Sequence, residues 1–141
     1  MVTTRMAQQL NQWQRAFDAS PESVSVARHE LRRVLAGWGW EGGPLDDAVL
    51  ICSELVANAI VHTAPGLGDE IRVRVQESEG DCRIEVLDSR PDLMPVTPTA
   101  APSGEGGRGL LLVRACAADM DVVTTRGRKK VWARVLREAA A

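Results

Sequence analysis

The segment "ELVANAIVH" (residues 54–62) places Glu54, Asn58 and His62 at every fourth position, among six apolar neighbours. At about 100° per residue, these three share one narrow sector of a helix. Leu50, Leu55, Val56, Ala59, Ile60 and Val61 cover most of the remainder. A helix apolar nearly all round is a buried helix. A carboxylate facing a core is costly unless it is paired or bound to a cation. Two readings stay open on this stretch alone. The stripe is either a solvated face, with His62 settled near the C-terminal carbonyls, or the lining of a cavity that holds something polar.

Composition narrows the classes. At 141 residues the chain has the size of one domain with a real core. Its formal net charge of -2 argues against broad nucleic-acid binding, which needs a basic face. With no Tyr and one Phe, base-stacking platforms are scarce. No run approaches the ~18 apolar residues of a membrane span, and no signal peptide opens the sequence. Cys52, Cys82 and Cys116 are scattered through apolar segments, without disulfide or zinc spacing. Reduced, buried thiols in a cytoplasmic protein are expected, with no membrane and no nucleic-acid partner.

Along the chain, residues 1–11 are polar and expected to be loose, and 12–138 form the domain. "WQRAF" (13–17) reads as a short edge strand. Ser20 as N-cap and Pro21 at the first helical position open a helix that Gly37 ends. "GWGWEGGP" (37–44) reads as a loop, and Pro44 opens a second helix reaching about His62, with Asp46 and Asp47 at its positive end. "EIRVRVQE" and "CRIEVLD" alternate with period two and are joined by "SEGD" into a hairpin, each strand with one buried and one wet face. Residues 89–106 carry four prolines and little periodicity; a loop that long is functional or disordered. "GRGLLLVRACAADM" begins a third helix on glycines, and "DVVTTRG" with "KKVWARVLRE" makes a second antiparallel pair. The expected fold is α+β: a two-layer sandwich of a mixed, mostly antiparallel sheet with three main helices on one face.

Two further places can carry chemistry. In "GEGGRGLLLV" (104–113), glycines stand directly before an apolar helix, where free N–H groups and the helix dipole favour an anion. The same pattern also suits a flexible loop, and it is neither a Walker P-loop nor a dinucleotide fingerprint. Asp88 ends the strand "CRIEVLD", where it can accept from an exocyclic amine or simply make an Asx-turn.

Together, the helical Glu-x3-Asn, the strand-terminal Asp, the Pro-rich loop and the Gly-x-Gly helix start resemble the GHKL (Bergerat-fold, histidine-kinase-like) ATPase superfamily. "SELVANAIVHT" and "KKVWARV" narrow the resemblance to bacterial anti-sigma-factor serine kinases and their actinobacterial relatives. It covers roughly residues 13–136. The resemblance implies ATP or ADP with Mg²⁺ as ligands. Asn58 would hold the metal, Glu54 would polarise the attacking hydroxyl, and Asp88 would bind the adenine amine. Gly104, Gly106, Gly107, Arg108, Gly109 and Leu110 would meet the phosphates, under a lid formed by residues 89–106.

The chain also departs from that pattern. Arg90 and Asp92 stand where the superfamily has glycines, and Glu105 where several kinases have a basic residue; Arg108 would then supply the cation. Lys129 and Lys130 occupy a late-strand stretch where relatives carry Thr. The implied function is an anti-sigma-factor serine/threonine kinase that binds a sigma factor and phosphorylates a STAS-type antagonist, working as a homodimer. The alternative is a catalytically weak nucleotide-binding module. A vestigial structural subunit has no reason to keep Glu54 and Asn58.

Overall fold

The computed structural model describes residues 10–61, 70–88, 113–125 and 128–138. Strand β1 (Gln12–Asp18) leads into helices α1 (Glu22–Gly37) and α2 (Gly42–Val61). The hairpin β2 (Glu70–Ser78) and β3 (Asp81–Asp88) follows, then β4 (Asp119–Thr125) and β5 (Arg128–Leu136). Between β3 and β4, residues 113–116 are helical and are labelled α3. The strands form one sheet in the order β1-β2-β3-β5-β4, and all four pairings are antiparallel. The α+β expectation holds. No parallel pair occurs among the described residues, because each neighbouring strand is reached by a hairpin or by returning across the helix layer.

Period-two alternation sorts the sheet into faces. Ile71, Val73 and Val75 on β2, Ile84 and Val86 on β3, and Val131 and Ala133 on β5 all point to the helices and are buried. Helix α2 packs across β2, β3 and β5 and also against α1. It is buried on nearly every side, from Leu45 and Ala48 through Leu55 and Val56 to Ala59. Edge strand β1 is tied to the helix layer by an ion pair from Arg15 to Glu30.

Several local expectations shift. Helix α2 begins at Gly42, two residues before Pro44, which leaves no acidic residue in its first turn; Asp46 instead pairs with Arg32 of α1 at 3.1 Å. Pro21 has helical dihedrals (φ -58, ψ -31), yet Ser20 does not cap a backbone N–H. Its hydroxyl sits 3.5 Å from that of Ser23, which donates to the Asp18 carbonyl at 2.7 Å. The outer face of β3 is not wet throughout. Glu85 is only 4% exposed, covered by Arg83 at 2.8 Å, Arg74 at 3.6 Å and Lys130 at 3.8 Å. Long basic side chains lie over the sheet by their aliphatic stems.

The "GWGWEGGP" segment is more ordered than a plain loop. Past the α1 C-cap at Trp38, Gly39 takes φ +95. Its N–H donates to the Ala36 carbonyl at 3.0 Å, and that of Trp40 to the Leu35 carbonyl at 2.9 Å. This is the Schellman closure that a left-handed glycine permits. It turns Trp40 into the core, 2% exposed. There its indole donates to Glu77 Oε2 at 2.8 Å, which also accepts from Arg137 at 2.7 Å. Asn11 donates to the other oxygen at 2.9 Å. Of residues 1–11, Asn11 joins this cluster; residues 1–9 lie outside the described ones.

Candidate functional site

Helix α2 presents its polar residues unequally. Asn58 is buried, 6% exposed, while Glu54 one turn earlier is half-buried beside Leu50 and Ala57. The side of α2 that faces solvent belongs to Asp46 and, at the end, Val61. A solvated stripe thus describes Asp46 but not Asn58. His62, the third member, lies outside the described residues.

Asp88 is the last residue of β3, as expected, and its carboxylate is buried on the inner, helix-facing side. Directly opposite in register on β5 stands Lys129. Its ammonium lies 3.4 Å from Asp88 Oδ2, with the two side chains 1% and 2% exposed. Sequence reasoning grouped Lys129 with Lys130 as one departure, yet the two sit on opposite faces. Lys130 joins the basic cover over Glu85. The separating signal was available: Val131, Ala133 and Val135 point inward, so period two sends Lys129 the same way.

Gly104, Gly106, Gly107, Arg108, Gly109 and Leu110, the lid at 89–106 and the departures at Arg90, Asp92 and Glu105 lie outside the described residues. The structure sets Asp88 beside Lys129 at the end of β3, while Glu54 and Asn58 lie four residues apart on α2.

Chemistry tests the implied Mg²⁺. Among the described residues, no three His, Cys, Asp or Glu side chains group as a metal cage. Mg²⁺ favours few protein ligands, keeping water and substrate phosphate oxygens around a hard oxygen donor. The amide oxygen of buried Asn58 is such a donor, so the residues fit a cation held mainly through a ligand's phosphates.

The thiols do not belong to this chemistry. Burial pushes Cys52 up from 9.0 to about 12, and Cys82 to about 12, the latter helped by Asp81 and Glu77. Cys116 is only half-buried, contrary to expectation, and is also raised, first by burial and then by Asp47. A folded-state value above the unfolded one favours folding while both states keep the proton, and this is lost as the unfolded thiols ionise. Stability measured by urea titration is expected to fall from about pH 9 towards 12, less steeply in Cys52→Ala. An equal slope in that variant would contradict the assignment.

The sequence and the fold as a whole match known proteins. The histidine kinase-like ATPase domain family matches residues 17–135. Among solved structures, the RsbU and RsbW domains of Rv1364c from Mycobacterium tuberculosis align at TM-score 0.68 and 22% identity, covering 92% of this chain. The chain spans 33% of that protein's chain. The SiaB-SiaC complex from Pseudomonas aeruginosa aligns at TM-score 0.60 and 14% identity, covering 95% of this chain and 94% of that one. No curated protein sequence matches. At these identities the structural likeness establishes fold, and no helix among the described residues is long and apolar enough to cross a membrane. The family match covers most of the chain, and on it the chain belongs to the histidine kinase-like ATPase domain family.

Proposed function

We propose that this chain binds ATP or ADP with Mg²⁺ and acts as an anti-sigma-factor serine/threonine kinase towards a small antagonist protein. The observation that carries the nucleotide reading is a buried Asn58, one turn from half-buried Glu54, on a helix crossing the strand that ends in Asp88. In this reading Asn58 orients its amide oxygen towards the cation. When bound, Mg²⁺ neutralises phosphate charge. Glu54 accepts the proton of a serine hydroxyl and aligns it for in-line attack. Phosphoryl transfer asks a protein for little beyond such positioning and charge stabilisation. In this reading Asp88 anchors the base, Gly104, Gly106, Gly107, Gly109 and Leu110 offer backbone N–H groups to the phosphates, and Arg108 adds positive charge.

That SiaB is seen in complex with SiaC supports a protein partner, here of the STAS antagonist type, with a sigma factor as the second. Edge strand β1 supports self-association into a homodimer, since an unpaired edge favours pairing. The second reading, a nucleotide-binding module with weak catalysis, shares the nucleotide site and differs only in whether phosphate is transferred. Calorimetry tests the nucleotide binding that both readings share. ATP is expected to bind the wild type with an affinity that rises with Mg²⁺, and Asn58→Ala should abolish the Mg²⁺-dependent part only. An absence of heat at millimolar ATP would contradict both readings.

A further inference from the structure

The sheet face turned away from α1 and α2 has no part in the nucleotide site, and the described helices all pack on the other side. Strand register sorts this outer face into cross-strand rows. One row sets Arg72 of β2, Leu87 of β3, Lys130 of β5 and Val123 of β4 side by side. The next holds Arg74, Glu85, Trp132 and Asp121. A third brings Arg83 beside Arg134.

The central charges are out of balance. Glu85 is the shared counter-ion of Arg83 at 2.8 Å, Arg74 at 3.6 Å and Lys130 at 3.8 Å. Arg134 takes Asp81 at 3.1 Å, and exposed Arg72 makes no ion pair with any described residue. Positive charge is thus in excess here, although the chain as a whole carries -2. Arg83 also lies over the Trp132 ring, 4.2 Å from its centre, which holds the guanidinium in place. Cations fixed in this way around half-buried Leu87 and Trp132 lose little further freedom when a ligand arrives. Carboxylates mark the margins: Asp119 and Asp121 stand exposed on edge strand β4, and Asp18 pairs in register with Glu70 at the end of β1 and β2. A long polyanion would have to cross that acidic frame, whereas a short acidic segment fits inside it. A second copy presenting the same face would set like charges together, which disfavours it.

We propose that the outer sheet face docks a short acidic segment of a partner protein. Its carboxylates pair with Arg72, Arg74 and Lys130, and an apolar side chain rests on Leu87 and Trp132. The surface lies across the sheet from Asn58, so it stands or falls independently of nucleotide binding.

The probe is an oligoglutamate peptide with a central leucine, titrated at low salt, where surface charges are least screened, into labelled protein followed by NMR. The Trp132 indole N–H and the backbone amides of Arg72 and Leu87 are expected to shift on one saturation curve. Arg72→Glu combined with Lys130→Glu should weaken binding by about tenfold or more, since each change turns an attraction into a repulsion. Arg28→Glu, at an exposed position of α1, should leave the affinity nearly unchanged. Equal losses in the two variants would reduce the effect to general attraction between opposite charges and overturn the assignment. No shifts at these positions up to millimolar peptide would also overturn it, and that titration needs no variant to fold. Tighter binding there of a thymidine oligonucleotide of equal charge would give the face to nucleic acid. A dimer in sedimentation that the double variant dissociates would give it to a second copy. Either result would contradict the proposal.

Discussion

Glu54→Gln is expected to lower phosphoryl transfer to a protein antagonist by about 10²–10⁴-fold, the span a positioned general base contributes, with MgATP affinity nearly unchanged. The substitution keeps the size and hydrogen-bonding reach of the side chain and removes its capacity to take a proton. Glu54 is half-buried on α2, one turn before buried Asn58. It can therefore face a bound nucleotide while remaining reachable by a second protein. The measurement is single-turnover transfer of labelled phosphate to antagonist proteins from the same genome, alongside calorimetry of MgATP. Equal, slow transfer by wild type and variant to every antagonist tried would remove Glu54 from catalysis and leave the weakly catalytic binding module.

Trp40→Ala is expected to cost about 3–5 kcal/mol of folding stability, the range for emptying a large aromatic site. For a chain of this length, that corresponds to a melting temperature lower by roughly 10–20 °C. Trp40 is 2% exposed and its indole donates to Glu77, which also holds Asn11 and Arg137. Losing the ring opens a cavity and removes one of the donors that keep the Glu77 carboxylate satisfied. Trp40→Phe retains most of the volume and should lose only about 1–2 kcal/mol, since mainly the hydrogen bond goes. Thermal unfolding followed by circular dichroism checks both; equal melting temperatures for Trp40→Ala and wild type would show that this end of the molecule is not load-sharing with the core. Gly39 belongs to the same corner. A Cβ there would lie 2.6 Å from Arg137 Nη2, at a φ of +95 that side chains rarely adopt.

Where periodicity was strong, sequence and structure agree. The alternation in "EIRVRVQE" and "CRIEVLD" places β2 and β3, and the apolar wrap of α2 marks it as buried, because both patterns record which face meets the core. Asn58 stands out as a polar residue on an apolar helix, and Asp88 as a carboxylate that ends a strand. Two features were harder to read. The Trp40 corner depends on Glu77 and Arg137, 37 and 97 residues further along, and no local pattern announces a hydrogen bond at that separation. The Asp88–Lys129 pair needs strand register; parity turns Lys129 inward, but only the β3–β5 alignment sets it opposite Asp88.

The central claim is that nucleotide binds between the C-terminal half of α2 and the end of β3. The direct measurement is residue-resolved NMR of the labelled protein during titration with MgATP. The side-chain amide of Asn58 and the backbone amides of Asp88 and Lys129 are expected to shift with a common saturation curve. The Trp40 indole N–H, held by Glu77, should stay in place: Glu77 pairs with Cys82, six residues back along β3 from Asp88, roughly 20 Å away at strand rise. No shift at Asn58 or Asp88 up to millimolar MgATP, or shifts centred on Trp40 instead, would contradict the account.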